Sequence, residues 1–303
     1  MTGMTGMAGT LRAGVAALAD LALPGECAGC GAAGRSGLCR ACAEVLRSRP
    51  FPVRPVRGRA VLPVVYALAR YQEPLSELII AQKERGRLDL ARPLGRALAD
   101  VVRAAVVGEG TGAQASGDLV PGTRALGARA AGEWSGDGRG MAPSVSGDWA
   151  ERGIRSGPDA AAVDLPSDWA VRRIFLVPVP SARAAERRRG QDPVLRMARA
   201  AAARLRREGA RAEVLRALRH SRAVTDQVGL SIAARAANLA GAMRVTGAGQ
   251  RALVRGSAVV VLVDDVCTSG ATLGEAARAV GAVPGFRGSG GRVVAAVLAG
   301  PVR

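Results

Sequence analysis

Two groups of residues in this chain have the types and spacing to do chemistry. The first is Asp264-Asp265, which closes the run Val259 to Val263 and is followed at once by Thr268-Ser269-Gly270-Ala271-Thr272. Adjacent carboxylates can accept hydrogen bonds from vicinal hydroxyls or hold a hydrated Mg²⁺. The turn after them can offer backbone N–H groups and the hydroxyls of Thr268, Ser269 and Thr272 to a phosphate, and Gly270 lets the backbone come close to it. The second group is Cys27, Cys30, Cys39 and Cys42, two CxxC pairs with eight residues between them, among which are Gly31, Gly34 and Gly37. That spacing predicts a closed structural Zn²⁺ site with sulfurs about 2.3 Å from the metal. Two disulfides or a redox dithiol are the competing readings, and no secretion signal accompanies the cysteines to favour them. Removing the metal is expected to unfold only this module. The fifth cysteine, Cys267, has no base near it in sequence, and the single histidine is His220. Cys267 is therefore read as small filler, not a nucleophile.

The elements that must position the aspartates are a buried strand before them and a helix after them. Apolar runs predict strands over Leu62 to Tyr71, Ile174 to Val179, Val259 to Val263 and Val293 to Leu298. Apolar residues at three- and four-residue spacing predict helices over Leu75 to Lys83, Leu90 to Val107, Leu195 to Leu205, Leu230 to Leu239 and Leu273 to Val280. Alternating strands and helices predict an α/β fold with a parallel sheet, whose ligands sit outside the carboxyl ends of the strands. Four regions follow: residues 1–55 with a leading helix and the cysteine module, 60–107 as the first part of the α/β domain, 108–168, and 169–303 as its core. The 108–168 segment is rich in Gly, Ala and Ser and lacks a sustained period, so it is expected to be a disordered insertion.

The 303 residues carry 43 basic and 25 acidic side chains, a net charge of +18, with 49% hydrophobic and 3% aromatic residues. One cation is lysine, Lys83, and the other 42 are arginine, which points to a coding bias as much as to an acidic partner. Three of the few aromatics, Trp134, Trp149 and Trp169, lie in or beside the Gly/Ser-rich stretch, so base-stacking platforms are not expected. No uncharged apolar run reaches the roughly 18 residues of a membrane span. Leu11 to Leu23 is interrupted by Asp20 and followed by a poor cleavage site, and is expected to be an amphipathic helix of a soluble, cytoplasmic protein.

The Val259 to Leu273 segment resembles the phosphoribosyl pyrophosphate (PRPP) motif of type I phosphoribosyltransferases in order and spacing. Beyond it, the chain resembles the ComF family of competence-associated, phosphoribosyltransferase-like proteins. The resemblance rests on the CxxC pairs, Lys83-Glu84-Arg85-Gly86, Pro178-Val179-Pro180 with Arg189-Gly190, the series Arg222, Thr225, Gln227, Arg235 and Asn238, and the Asp-Asp turn. Gln191 and Asp192 stand where the family often has an aromatic and Asn. The resemblance implies a type I phosphoribosyltransferase fold with an N-terminal zinc ribbon. It implies that Asp264 and Asp265 face the ribose hydroxyls and that Thr268 to Thr272 hold the 5′-phosphate. It further implies that Pro180, Ser181, Arg183 and Arg189 line the pyrophosphate end, and that Arg222, Thr225 and Gln227 belong to a mobile loop over Arg219 to Gln227. For Arg183 and Arg187 a solvated face competes with that role.

Two functions from different classes are expected on this basis. One is a PRPP- and Mg²⁺-dependent transferase of phosphoribosyl groups. The other keeps the fold and drops the catalysis: a nucleotide-sensing adaptor in DNA uptake that engages single-stranded DNA or a helicase-like partner.

Overall fold

The computed structural model describes residues 25–33, 37–53, 62–110, 172–181, 190–222 and 231–302. The Leu11 to Leu23 helix, Gly34, nearly all of the 108–168 segment with its tryptophans, Arg183, Arg187, Arg189, Thr225 and Gln227 lie outside them. The fold is α/β with a mostly parallel central sheet. Its strands are β1 (Phe51–Val53), β2 (Val64–Arg70), β3 (Arg173–Pro178), β4 (Arg211–Val214), β7 (Ala258–Val266) and β8 (Arg292–Gly300), in the order β1-β2-β8-β7-β3-β4. Only the β1–β2 pair at one edge is antiparallel. A separate antiparallel pair joins β5 (Leu218–His220) to β6 (Met243–Val245). The helices are α1 (Arg40–Val45), α2 (Leu75–Lys83), α3 (Ala91–Gly110), α4 (Pro193–Arg207), α5 (Ile232–Leu239), α6 (Gly247–Leu253) and α7 (Ala271–Gly281). Among the described residues no helix is long and apolar enough to cross a membrane.

Central strand β7 is Val- and Leu-rich because both its faces are covered, as parallel strands require. Val259, Val261 and Val263 pack with Leu94, Leu98 and Val102 of α3 and Met197 and Ala201 of α4. Val260 and Leu262 point the other way, to Leu273, Ala276 and Val280 of α7. Helices α3 and α4 approach closely at Gly95, where an added Cβ would lie 2.8 Å from the Met197 carbonyl oxygen. Arg204 of α4 bridges Asp100 and Glu208 across the same pair of helices.

The topology fixes where a ligand can sit. From β3 the chain passes through α4 on one face to β4, while from β7 it passes through α7 on the opposite face to β8. Neighbouring strands β3 and β7 thus send their connections in opposite directions, and the crevice outside their carboxyl ends is the switch point where open α/β sheets bind ligands.

Two expectations need correction. The helix predicted to stop at Val107 runs on to Gly110, so the 108–168 segment begins inside α3. The Arg219 to Gln227 stretch is not a loop from its start, since Arg219 and His220 belong to β5 and pair with Arg244 and Met243. Asp192 caps α4: its Oδ1 accepts the Leu195 N–H at 3.0 Å, with Pro193 in the first turn. Apolar periodicity could not reveal β1, β4, β5 and β6, which are three or four residues long.

Candidate functional site

Asp264 and Asp265 directly precede Val266, the last residue of β7, so the strand itself delivers them to the crevice. Each carboxyl group turns back on the backbone: Asp264 Oδ1 accepts the Asp265 N–H and Asp265 Oδ1 accepts the Val266 N–H, both at 2.9 Å. The other oxygen of Asp265 accepts from Lys83 Nζ at 2.7 Å, a contact between residues 182 apart in sequence. Asp265 is buried, and Lys83 reaches it from the last turn of α2. Burial, and then the charge of Asp265, push the Asp264 carboxyl well above the ordinary carboxylate range, against a smaller opposing pull from Lys83.

The loop beyond the aspartates enters α7 without a side-chain cap. Its N-cap is Gly270 in the left-handed region at φ 75°, a conformation that costs glycine nothing. Ser269 is buried and its Oγ lies 3.4 Å from the Ala271 N–H, while Thr268 is exposed. Ser269 Oγ accepts the Ala271 N–H, and the N–H groups that follow it in the first turn have no intrahelical acceptor, so the start of α7 presents donors and a positive dipole end to the crevice. Cys267 is buried behind this loop, and burial followed by the charge of Asp264 pushes its thiol up to about 12. Such a thiol is inert as a nucleophile at neutral pH, as expected for filler.

The neighbouring strand supplies the other wall. Val179 N–H donates to the Val263 carbonyl at 2.9 Å, so the chain leaves β3 into Pro180 and Ser181 next to the carboxyl end of β7. His220, which falls within the loop expected over Arg219 to Gln227, instead lies in β5 with Nε2 3.1 Å from the Pro180 carbonyl oxygen. It ties the start of the Ser221 to Ser231 connection to the Pro180 turn. The Arg222 guanidinium donates to the carbonyls of Asn238 (2.8 Å) and Ala240 (3.1 Å) at the end of α5.

Sequence reasoning gave Lys83 no role in the site. The available signal was compositional: in a chain with 42 arginines, the sole lysine sits here. An ammonium is a compact charge that can meet a single carboxylate oxygen, whereas a guanidinium is a wide planar fork.

The four cysteines of the CxxC pairs form a second cluster, with sulfurs all within 4.8 Å of one another. All are free thiols, and Cys30 Sγ and Cys39 Sγ are 3.6 Å apart. A tetrahedron with metal–sulfur bonds of about 2.3 Å has edges of roughly 3.8 Å, so the cluster fits a structural Zn²⁺. Backbone donors also favour thiolate: burial raises Cys27, but N–H groups of Cys39, Cys30 and Gly29 outweigh it and lower the thiol to about 6. Burial and the neighbouring sulfurs push Cys42 up. Gly29 must lack a side chain, since a Cβ would come within 2.9 Å of Cys42 Sγ and 3.2 Å of Leu78 in α2. Cys27, Cys42 and Leu46 share one apolar core with Leu75 and Leu78, so this cluster is packed onto α2.

One consequence of the Asp264 environment is open to direct measurement. Its folded-state titration lies above the unfolded value, so between the two the folded chain holds the extra proton and stability falls as pH rises through that window. Asp264→Asn is expected to remove this fall. Its thermal midpoint should exceed wild type at pH 8 and converge with it near pH 4, where unfolded carboxyls also protonate. A variant no more stable than wild type at pH 8 would show that the buried charge is compensated in a way these contacts do not reveal.

No protein-family model matches the chain, and no curated protein matches it.

Proposed function

We propose that the chain binds PRPP with Mg²⁺ at the carboxyl ends of β3 and β7 and transfers or recognises its phosphoribosyl group, on a type I phosphoribosyltransferase fold. The carrying observation is the convergence, at the sheet's switch point, of the Asp264-Asp265 pair, the uncapped start of α7 and the Pro180-Ser181 turn. The resemblance to the PRPP motif and to the ComF family supports the same reading.

On this reading the 5′-phosphate takes the first-turn N–H groups of α7 from Thr272 onward with the hydroxyls of Thr268, Ser269 and Thr272. The ribose hydroxyls meet the two aspartates in different roles. Asp265, oriented by Lys83, accepts, whereas Asp264, held towards its protonated form, can also donate. The diphosphate extends towards Pro180 and Ser181, with Arg183 and Arg189 as its partners through paired N–H donors. Thr225 and Gln227 belong to the segment that excludes water from the occupied site. Mg²⁺ bound with the diphosphate supplies neutralisation of the leaving group. The bond from ribose C1 to the diphosphate oxygen breaks with its electron pair leaving on pyrophosphate. The carboxylate side of the crevice then stabilises the oxocarbenium-like ribose until an acceptor nucleophile bonds to C1.

Titration calorimetry and thermal melting of the full chain with PRPP and Mg²⁺ test the reading. Binding heat and a rise in melting temperature with ligand concentration are expected. If neither appears, the Asp-Asp crevice is not a PRPP site.

A further inference from the structure

A second site lies at the other end of α7. There β5, β6 and α6 wall a cavity of about 430 Å³, within the roughly 300–1,000 Å³ of small-ligand sites. Arg219, Arg244, Arg278 and Gln250 give it a polar lining, and Ala279, Ala282 and Val283 of α7 and its C-terminal end an apolar one. At about 1.5 Å per residue, α7 carries its lining residues roughly 10 Å or more from the loop that starts the helix, so the cavity is separate from the Asp-Asp crevice.

Charge is what makes this cavity unusual. Arg219 and Arg244 stand directly opposite each other in the β5–β6 pair, and both face the cavity. Like charges in that position repel. Arg278 adds a third guanidinium, fixed by Glu275 at 2.7 and 2.8 Å and by the Met243 carbonyl at 3.0 Å. Glu275, which pairs with Arg278, also accepts the Met243 N–H at 2.9 Å. Among the described residues, neither Arg219 nor Arg244 has a carboxylate or carbonyl partner. Two cations are therefore held together at a cost, at the mouth of a hollow with an apolar wall.

We propose that this cavity binds a phosphomonoester of mononucleotide size, its phosphate between Arg219 and Arg244 and its ring against Ala279, Ala282 and Val283, with Gln250 reading a polar edge. Paired arginines match phosphate oxygens through parallel N–H donors, and the anion relieves the repulsion between them. The site makes no use of Asp264, Asp265 or PRPP, so it stands independently of the function proposed above.

Adenosine 5′-monophosphate, inorganic phosphate and a short oligothymidylate are titrated into the full-length protein by calorimetry. The mononucleotide is expected to bind, and more tightly than phosphate because of the apolar wall. Arg219→Gln with Arg244→Gln should weaken it at least tenfold, while Asp265→Asn should leave it unchanged. A second variant separates binding from folding: Arg244→Glu places opposite charges across the pair, so it should raise the melting temperature of the free protein and abolish mononucleotide binding. The proposal is overturned if the double glutamine variant binds as wild type does, if Asp265→Asn removes the binding, or if phosphate alone binds equally well. It is also overturned if only the oligonucleotide binds through these arginines, which would make them part of a nucleic-acid surface.

Discussion

Asp265→Asn is expected to lose PRPP binding while the protein stays folded. The substitution keeps the shape of a side chain that is almost fully buried, so packing around the end of β7 is preserved. It removes the negative charge that accepts from Lys83 at 2.7 Å, and, on the proposed function, the charged acceptor for the ribose hydroxyls. Hydrogen bonds to a charged group contribute about 1.5–3 kcal/mol, which corresponds to roughly 10- to 160-fold in affinity. Lys83→Met isolates the positioning role: Asp265 keeps its charge but loses the group that orients it, so PRPP affinity should fall less than in Asp265→Asn. Calorimetry of both variants, with circular dichroism to confirm folding, checks the ranking. Undiminished PRPP binding by a folded Asp265→Asn variant would remove the aspartate from the site.

The division between what was legible and what was not follows the range of the interactions. Buried parallel strands announce themselves, because Ala258 to Val263 must be apolar on both faces, and the loop after β7 carries its chemistry in consecutive residues. The four cysteines are legible for the same reason, since each CxxC turn places two ligands by local geometry alone. Contacts between distant segments leave no such trace. Lys83 meets Asp265 because α2 and β7 are brought together by the fold, and nothing in the local pattern of α2 distinguishes that end from any polar helix terminus. The pairing of His220 is not legible because its partner is a backbone carbonyl at Pro180, and backbone acceptors have no residue type to read. Short strands such as β5 and β6 are held by each other and by Glu275 of α7, not by their own sequence preferences.

Loss of zinc should reach beyond the cysteine module, contrary to the expectation from spacing that it would unfold alone. Cys42 is fully buried, and with Cys27 and Leu46 it belongs to the core that also contains Leu75, Leu78 and Leu94. A Gly29 Cβ would touch both Cys42 Sγ and Leu78, so the knuckle and α2 meet with no space between them. Four cysteine sulfurs so close together, without a metal to neutralise thiolate charge, must take up protons or move apart, and either change disturbs the surface on which α2 rests. Loss of a structural metal belongs to the class of changes that cost about 4 kcal/mol or more. For a domain of this size that is a fall in melting temperature of roughly 8–16 °C. Cys42→Ser, or treatment of the purified protein with a strong chelator, is expected to give that fall, together with loss of one zinc per chain by elemental analysis. Because Lys83 is the last residue of α2, the same treatment should also weaken PRPP binding, linking the metal cluster to the Asp265 crevice through one helix. Purified protein that holds four titratable thiols and no zinc, yet melts at the same temperature with and without added metal, would refute the metal site. A large thermal effect with unchanged PRPP affinity would instead confine the metal's influence to the core shared by Cys42 and Leu78.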